Sequence, residues 1–136
     1  MSSLKDRMEA VKKLQEETRD QIDKICGEAF EAGVGILFET YPELKSFGWR
    51  QYTPYFNDGD ACYFSVHADE PDINGEGSDE WYDEEGWQNK AADDIAELVY
   101  SIDEGYLKRR FDDHAEVTVT RTRNGYKAES DDYRHD

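Results

Sequence analysis

The chain has 136 residues, of which 16 are Lys or Arg and 33 are Asp or Glu, and its formal net charge is −17. This length fits one domain, residues 1–136, and is too short for two sizeable cores. No apolar run approaches the roughly 18 residues of a membrane span. The strong negative charge argues against direct binding to nucleic acid or to an anionic membrane surface, and 13% aromatic residues argue against a disordered acidic tail.

The two cysteines and the first thirty residues indicate the compartment. Cys26 and Cys62 lie 36 positions apart and lack the spacing of a zinc site, so we expect two reduced thiols rather than a disulfide. The beginning of the chain is polar with a helical pattern, which predicts no signal peptide. These features favour a cytoplasmic protein.

The N-terminal part, residues 1–45, has a helical pattern. Ser3 and Asp6 form a capping-box motif that predicts a helix over residues 3–26. Its apolar stripe is typical of a helix that packs on its own sheet, or of one that forms a homodimer with a second copy as a short coiled coil. Both alternatives stay open, because two polar residues interrupt the stripe. Its members are Leu4, Met8, Val11, Gln15, Thr18, Ile22, Ile25 and Ala29.

The next segments alternate between helix and strand patterns. A second helical segment is expected to continue or bend the first, followed by a short helical piece at Pro42–Leu44. Alternating residues over 46–68 predict a β-hairpin, with its turn at Asn57-Asp58-Gly59-Asp60. Between Asp58 and Glu85 there are eleven acids and no Lys or Arg. Residues 69–88 are therefore predicted to be a solvated acidic loop.

The last third predicts a helix over residues 89–111 and a hairpin with a tail over 114–136. The helix carries an apolar stripe from Ala92 to Tyr106, and its last turn is basic. Asn124-Gly125 predicts a type I′ turn in the hairpin. Two hairpins separated by a helix predict an α+β fold with one antiparallel sheet and helices on one face.

One stretch has a specific resemblance. The segment Ser46-Phe47-Gly48-Trp49 and Gln51-Tyr52-Thr53-Pro54-Tyr55-Phe56-Asn57-Asp58-Gly59-Asp60 resembles a group of small uncharacterised proteins of tailed bacteriophages. The strand Val117-Thr118-Val119-Thr120-Arg121 and the terminal Tyr133-Arg134-His135-Asp136 look similar as well. The resemblance implies a viral origin and a bacterial cytoplasm, and it transfers no activity.

Metal-binding and catalytic patterns are weak. Residues 72–83 approach the spacing of a calcium loop, but Asp83 replaces the final Glu, Asp79 replaces an apolar anchor and Pro71 precedes the loop. The alternative is an acidic loop that alternates acid with glycine. Cys62 and His67 would face opposite sides of a strand, which argues against a shared metal site. The GxSxG, Walker and HExxH motifs are absent, so we expect a binding protein with no cofactor rather than an enzyme.

The first functional hypothesis is an inhibitor that binds a host nucleic-acid-binding or defence protein. An ordered row of carboxylates can imitate the charge of DNA and attract a basic groove, while nearby aromatic residues supply apolar anchors. The candidate partner-binding residues are Asp69, Glu70, Asp72, Glu76, Asp79, Glu80, Trp81, Tyr82, Asp83, Glu84, Glu85 and Trp87.

The second hypothesis is a small-ligand binder that sequesters a nucleotide signal, possibly as a dimer. Arginines interleaved with tyrosines on predicted strands can stack on a base and contact a phosphate. Cross-strand pairing of the same arginines with Glu116 and Glu129 is the alternative. The candidate ligand-binding residues are Arg50, Tyr52, Tyr55, Arg121 and Arg123.

Overall fold

The computed structural model describes residues 3–54 and 62–133. Its elements follow one another as helix, two strands, three helices and two strands, which confirms the α+β prediction. They are α1 (Leu4–Thr40), β1 (Ser46–Tyr52), β2 (Ser65–Ile73), α2 (Ser78–Trp81), α3 (Trp87–Ser101), α4 (Glu104–Phe111), β3 (Ala115–Thr122) and β4 (Gly125–Asp132).

The four strands form one antiparallel sheet in the order β2-β1-β3-β4. Phe47 and Trp49 of β1 lie on the same face as Val117 and Val119 of β3, and all four are buried. Helices cover this face: the Phe30 ring of α1, for example, packs edge-on against Trp49, with 6.0 Å between ring centroids. The predicted arrangement of helices on one face of the sheet is therefore confirmed.

Helix α1 begins where the capping box predicts. The Ser3 hydroxyl accepts a hydrogen bond from the Asp6 N–H at 3.2 Å, and the Asp6 carboxylate accepts one from the Ser3 N–H at 3.4 Å. The helix is continuous to Thr40. The predicted helical piece at Pro42–Leu44 is wrong: the chain makes a turn there, closed by the Leu44 N–H and the Tyr41 carbonyl at 2.9 Å. The residue before a proline disfavours helical dihedrals, and Tyr41 is not helical (φ −119°, ψ 85°).

The two halves of α1 have different surroundings. The second half packs on the sheet and the other helices through its buried residues Phe30, Val34, Leu37 and Phe38. Residues 3–22 are exposed on every side. Packing of the predicted helix 3–26 on its own sheet is thus wrong for residues 3–22, and the buried residues of α1 lie beyond that range. Within the described ranges, no helix is both long and apolar enough to cross a membrane.

The predicted acidic loop over 69–88 is wrong, because this stretch forms regular structure. Strand β2 continues to Ile73, a tight turn brings the Ile73 N–H to the Glu76 carbonyl at 2.9 Å, and helix α2 follows. The apolar residues account for the difference: Ile73 and Trp81 are buried, and the Trp81 indole donates a hydrogen bond to the Pro71 carbonyl at 2.9 Å. Burial of two large side chains orders a segment that its charge alone would leave solvated.

The predicted helix over 89–111 is two helices, α3 and α4. The chain is extended at Ile102, whose side chain is buried, and Asp103 then starts a new helix. The Asp103 carboxylate accepts a hydrogen bond from the Tyr106 N–H at 3.1 Å, as an N-cap does. The apolar stripe was correctly identified, but the capping aspartate within it was not.

The two hairpins differ from their predictions in detail. In the first, β2 (Ser65–Ile73) continues beyond the predicted end at residue 68, and the predicted turn 57–60 lies outside the described residues. In the second, Thr122 pairs with Gly125, so Arg123 and Asn124 form the loop. Neither has the positive φ that a type I′ turn requires, so that turn type is wrong.

The turn after α1 is fastened to α3 by Tyr41, whose hydroxyl donates a hydrogen bond to the Asp94 carboxylate at 2.5 Å. Burial and this acidic partner raise the pKa of Tyr41 to about 12. The unfolded phenol ionises near pH 10, so the pair stabilises the fold fully below pH 10 and progressively less as the pH rises through 12.

We expect the stability difference between the parent and Tyr41→Phe to change by about 1 kcal/mol between pH 9 and pH 12, after allowance for solvent screening. Urea unfolding of both proteins across this range measures it. Both proteins contain the same other tyrosines, so the titration of those groups cancels in the stability difference between them. Parallel stability curves for the two proteins would contradict the assignment.

Candidate functional site

The nine carboxylates between residues 69 and 85 form what we call the acidic segment. No Lys or Arg occurs between residues 62 and 89, and of the nine only Asp72 is half-buried, while the others are exposed. Three lie on β2, two lie on α2, and the other four lie in the turns that follow these elements. In the second of these turns the Gly86 N–H donates to the Asp83 carbonyl at 2.9 Å. The charges are therefore held by a strand, a short helix and hydrogen-bonded turns. The nine are Asp69, Glu70, Asp72, Glu76, Asp79, Glu80, Asp83, Glu84 and Glu85.

A wide bulge in β2 presents the first two of these carboxylates. Gly48 pairs with Asp72 and Arg50 pairs with His67, so residues 68–71 of β2 lie opposite the single residue Trp49. Pro71 has no N–H for the sheet and is tolerated because the bulge interrupts the ladder. The Ala68 N–H instead donates to the Tyr100 hydroxyl at 2.8 Å, and burial raises the pKa of that phenol. Asp69 and Glu70 project from this bulge as exposed side chains.

The three aromatic anchors predicted for a protein partner are not equally available. Trp81 is buried and belongs to the core, so its predicted role in partner binding is wrong. Trp87 is half-buried and packs against Tyr41, with 6.3 Å between ring centroids. Tyr82 is 61% exposed and directly follows α2. Of the three, Tyr82 alone offers an accessible aromatic surface beside the acidic segment.

The open face of the sheet carries a concavity of about 450 Å³. The ring of Tyr52 stacks on His67, with 4.2 Å between centroids, and lies 5.5 Å from the ring of Tyr133. The Arg50 guanidinium lies 5.3 Å from the centroid of the Tyr133 ring. The lining residues are Arg50, Tyr52, His67, Asp69, Glu70 and Tyr133.

Carboxylates outnumber the arginine around this concavity. Arg50 is 3.7 Å from the Asp72 carboxylate and 3.8 Å from that of Glu116, which confirms the predicted cross-strand pairing with Glu116. Asp69 and Glu70 also line the concavity. A phosphate would meet one guanidinium and four carboxylates, so the site suits a cationic or neutral group better than a nucleotide phosphate.

The end of β1 is held beside this concavity by Asp113. The Thr53 N–H and hydroxyl donate to the two oxygens of its carboxylate at 2.8 and 2.7 Å, and the His114 N–H donates at 2.9 Å. Burial by itself would raise the pKa of Asp113, but these hydrogen bonds lower it below the ordinary value. The carboxylate therefore stays ionised and fixes the residue that follows Tyr52.

Of the other predicted ligand-binding residues, the structure describes Arg121 and Arg123, and neither of these two lines the concavity. The Arg121 guanidinium donates to the carbonyls of Leu44, Phe38 and Tyr41, at 3.0, 2.6 and 3.1 Å. Its predicted ligand role is wrong, because it closes the C-terminus of α1. Arg123 is in the loop of the second hairpin, and Tyr55 lies outside the described residues. His67 and Tyr133 were missed, although the alternation of β2 places His67 beside Arg50.

The calcium-loop pattern is not supported. The Asn74 side-chain oxygen accepts hydrogen bonds from the N–H groups of Lys45 and Ser46, at 2.7 and 3.1 Å, so its acceptor sites are occupied. In residues 3–54 and 62–133, no three His, Cys, Asp or Glu side chains group closely enough to hold a metal ion. Cys26 and Cys62 are both free and half-buried.

Comparison with known proteins adds no assignment to this geometry. No protein-family model, no curated protein and no solved structure matches this chain.

Proposed function

We propose that this protein binds a basic surface on another protein through its acidic segment and thereby competes with nucleic acid for that surface. The observation that carries the proposal is the set of nine carboxylates with no base among them, on β2, α2 and the turns that follow these elements. Duplex DNA carries one negative charge per ~1.7 Å of helix axis. Ordered carboxylates imitate such a field without the entropy cost of fixing a flexible loop.

The remaining features support a protein partner of this kind. A strongly acidic surface speeds association with a basic groove, and salt weakens the attraction. Tyr82, exposed beside α2, supplies an aromatic contact that charge alone lacks. The resemblance of residues 46–60 to tailed-phage proteins suggests a target in the bacterial host. A nucleic-acid-binding or defence protein of that host is therefore the proposed partner, and the protein would act as an inhibitor in the cytoplasm.

The test is capture from a bacterial lysate on the immobilised full-length protein, followed by elution with a 20-base-pair DNA duplex at low salt. We expect proteins with known nucleic-acid-binding surfaces to elute with duplex and with salt. A variant with five exposed acids neutralised should lose most of this capture, by tenfold or more. Its changes are Glu76→Gln, Asp79→Asn, Glu80→Gln, Glu84→Gln and Glu85→Gln, which reduce the charge from −17 to −12.

A matched control separates position from net charge. It carries five other exposed acids neutralised, Glu31→Gln, Glu39→Gln, Glu43→Gln, Asp131→Asn and Asp132→Asn, and has the same net charge of −12. The control should capture the same proteins as the parent. Equal capture by both variants, or equal loss in both, would contradict the proposal, as would captured proteins that duplex DNA does not displace.

A second candidate function is the binding of a small ligand in the concavity on the open face. It is favoured by the way Arg50 and Tyr52 come together there with His67 and Tyr133. The surrounding carboxylates favour a cationic or neutral ligand over a nucleotide. Arg50→Ala distinguishes the two candidates. If the acidic segment is the functional surface, the variant should keep the capture of proteins that DNA displaces. If the concavity is the functional site, the variant should lose binding of the small ligand.

We also propose that two copies of the chain associate through residues 3–26 of α1, whose apolar stripe lies outside the core. Such a dimer would present two acidic segments to one partner and raise the apparent affinity.

A further inference from the structure

We infer that residues 4–29 of α1, here called the stalk, pair antiparallel with the same residues of a second copy. The inference rests on exposure, on the register of the apolar stripe and on the distribution of charge along the helix. It rests on the proposed association through residues 3–26 and adds the direction and register of the pairing. Neither the acidic segment nor the concavity takes part, so it is tested separately from the proposed competition with nucleic acid.

Several large apolar side chains of the stalk are exposed, because no other part of the described chain covers them. Leu4 is 75% exposed, Met8 54% and Ile25 64%. These side chains recur at alternating steps of three and four residues, so they form one stripe along the helix. A helix with no tertiary packing is marginal in water, and this one continues for about five turns beyond its first buried contacts. An apolar stripe of this period packs against another such stripe.

An antiparallel register matches the stripe to itself. When the two-fold axis passes between residues 16 and 17, the polar Gln15 lies opposite Thr18 of the second copy, and the reverse holds by symmetry. The amide and hydroxyl can then bond to each other at the centre of the interface, while apolar residues meet on both sides. The facing pairs are Leu4 with Ala29, Met8 with Ile25, Val11 with Ile22, and Gln15 with Thr18.

The charges along the stalk select this direction. Residues 4–13 contain four bases and two acids, whereas residues 20–29 contain one base and three acids. Antiparallel pairing sets the positive half of each stalk against the negative half of the other, and parallel pairing sets like charge against like. Since unit charges interact over a Debye length of ~8 Å at physiological salt, this difference acts across a helix interface.

The rest of the molecule strengthens the same preference. The stalk carries six bases and seven acids, so most of the net charge of −17 lies on the rest of the chain. Parallel stalks would bring two such bodies side by side, whereas antiparallel stalks place them at opposite ends of the paired helices. The ion pair of Asp23 with Arg109 joins the stalk to α4 where the stalk meets the body. Arg109 also lowers the pKa of Asp23, which keeps that carboxylate ionised.

The first test is the mass of the full-length protein in solution, measured by sedimentation equilibrium from 1 to 100 µM. We expect a mass near twice the 15.8 kDa of one chain. The double variant Met8→Glu/Val11→Glu should be monomeric over the same range and keep the unfolding transition of its body, because both side chains lie outside the core. A monomeric parent at 100 µM, or a variant that still forms dimers, would overturn the inference.

The second test reads the direction by disulfide formation. In a Cys26→Ser/Cys62→Ser background, chains with Met8→Cys are mixed with chains with Ile25→Cys and oxidised. Antiparallel stalks bring the two different thiols together, so the mixed dimer should dominate. Either variant alone should stay largely uncrosslinked. Rapid crosslinking of Met8→Cys with itself would show a parallel dimer and overturn the antiparallel assignment.

Discussion

Replacing Gln51 with Leu is expected to lower the free energy of unfolding by about 3 kcal/mol. Gln51 has no exposed surface, and its side chain connects β1 to helix α4 by a hydrogen bond. Its amide donates to the carbonyls of Leu107 and Asp112, at 2.9 and 2.8 Å, and accepts from the Trp49 indole at 3.1 Å. Leucine has a similar size but leaves the Leu107 and Asp112 carbonyls and the Trp49 indole N–H without these partners.

Urea unfolding measures this effect as a lower midpoint with an unchanged slope. The matched control is Gln21→Leu, which makes the same chemical change at an exposed position of α1 and should alter stability by less than about 0.5 kcal/mol. A loss below 1 kcal/mol for Gln51→Leu would show that its hydrogen bonds contribute little. Because Gln51 lies between Arg50 and Tyr52, the variant is also expected to loosen the concavity on the open face.

Replacing Gly48 with Ala is expected to cost about 3 kcal/mol, since overpacking of this kind forces the backbone to move. A Cβ at this position would lie 2.5 Å from the Val117 carbonyl oxygen. The obstacle is backbone in the neighbouring strand, so no side-chain rotation relieves it. The change would separate β1 from β3 next to the bulge that carries Asp69 and Glu70.

The same substitution elsewhere provides the control. Gly35 lies within α1, and a Cβ there meets no heavy atom within 4 Å. Gly35→Ala should therefore raise stability by about 0.5–1 kcal/mol, because alanine is the better helix former. Thermal and urea unfolding of the two variants are expected to move in opposite directions. Equal stability of Gly48→Ala and the parent would mean that the strands separate at little cost.

The features that sequence reasoning predicted well are those set by neighbouring residues. The capping box of Ser3 and Asp6 marks the start of α1, and the alternation of Ala115, Val117 and Val119 marks β3. Each signal depends on contacts within a few positions, and such contacts form whatever the rest of the fold does. The number of strands, their antiparallel pairing within one sheet and the helices on one face followed from these local patterns.

The features that it missed depend on distant contacts. The acidic stretch has the composition of a loop. It is ordered because Trp81 is buried and its indole donates a hydrogen bond to the Pro71 carbonyl. The sequence around Arg121 is typical of a ligand-binding residue. In the structure its guanidinium instead donates hydrogen bonds to carbonyls about eighty positions earlier in the chain. Asp103 was the exception, because an N-cap aspartate inside a helical stripe is a local signal that could have been recognised. Composition identified the acidic segment as unusual but did not indicate that it is ordered.

The two outer strands limit the ways in which this protein can be recognised. An unpaired strand edge normally serves as a template on which another chain adds a strand through main-chain hydrogen bonds. Here the bulge with Pro71 interrupts the outer strand β2. The outer strand β4 carries exposed charged side chains, namely Lys127, Glu129, Asp131 and Asp132. Both edges therefore resist strand addition and the aggregation that follows from it. A protein that binds the sheet is therefore expected to contact its side chains and not its main chain. The specificity of such a complex would depend on the charge and shape of the partner's surface.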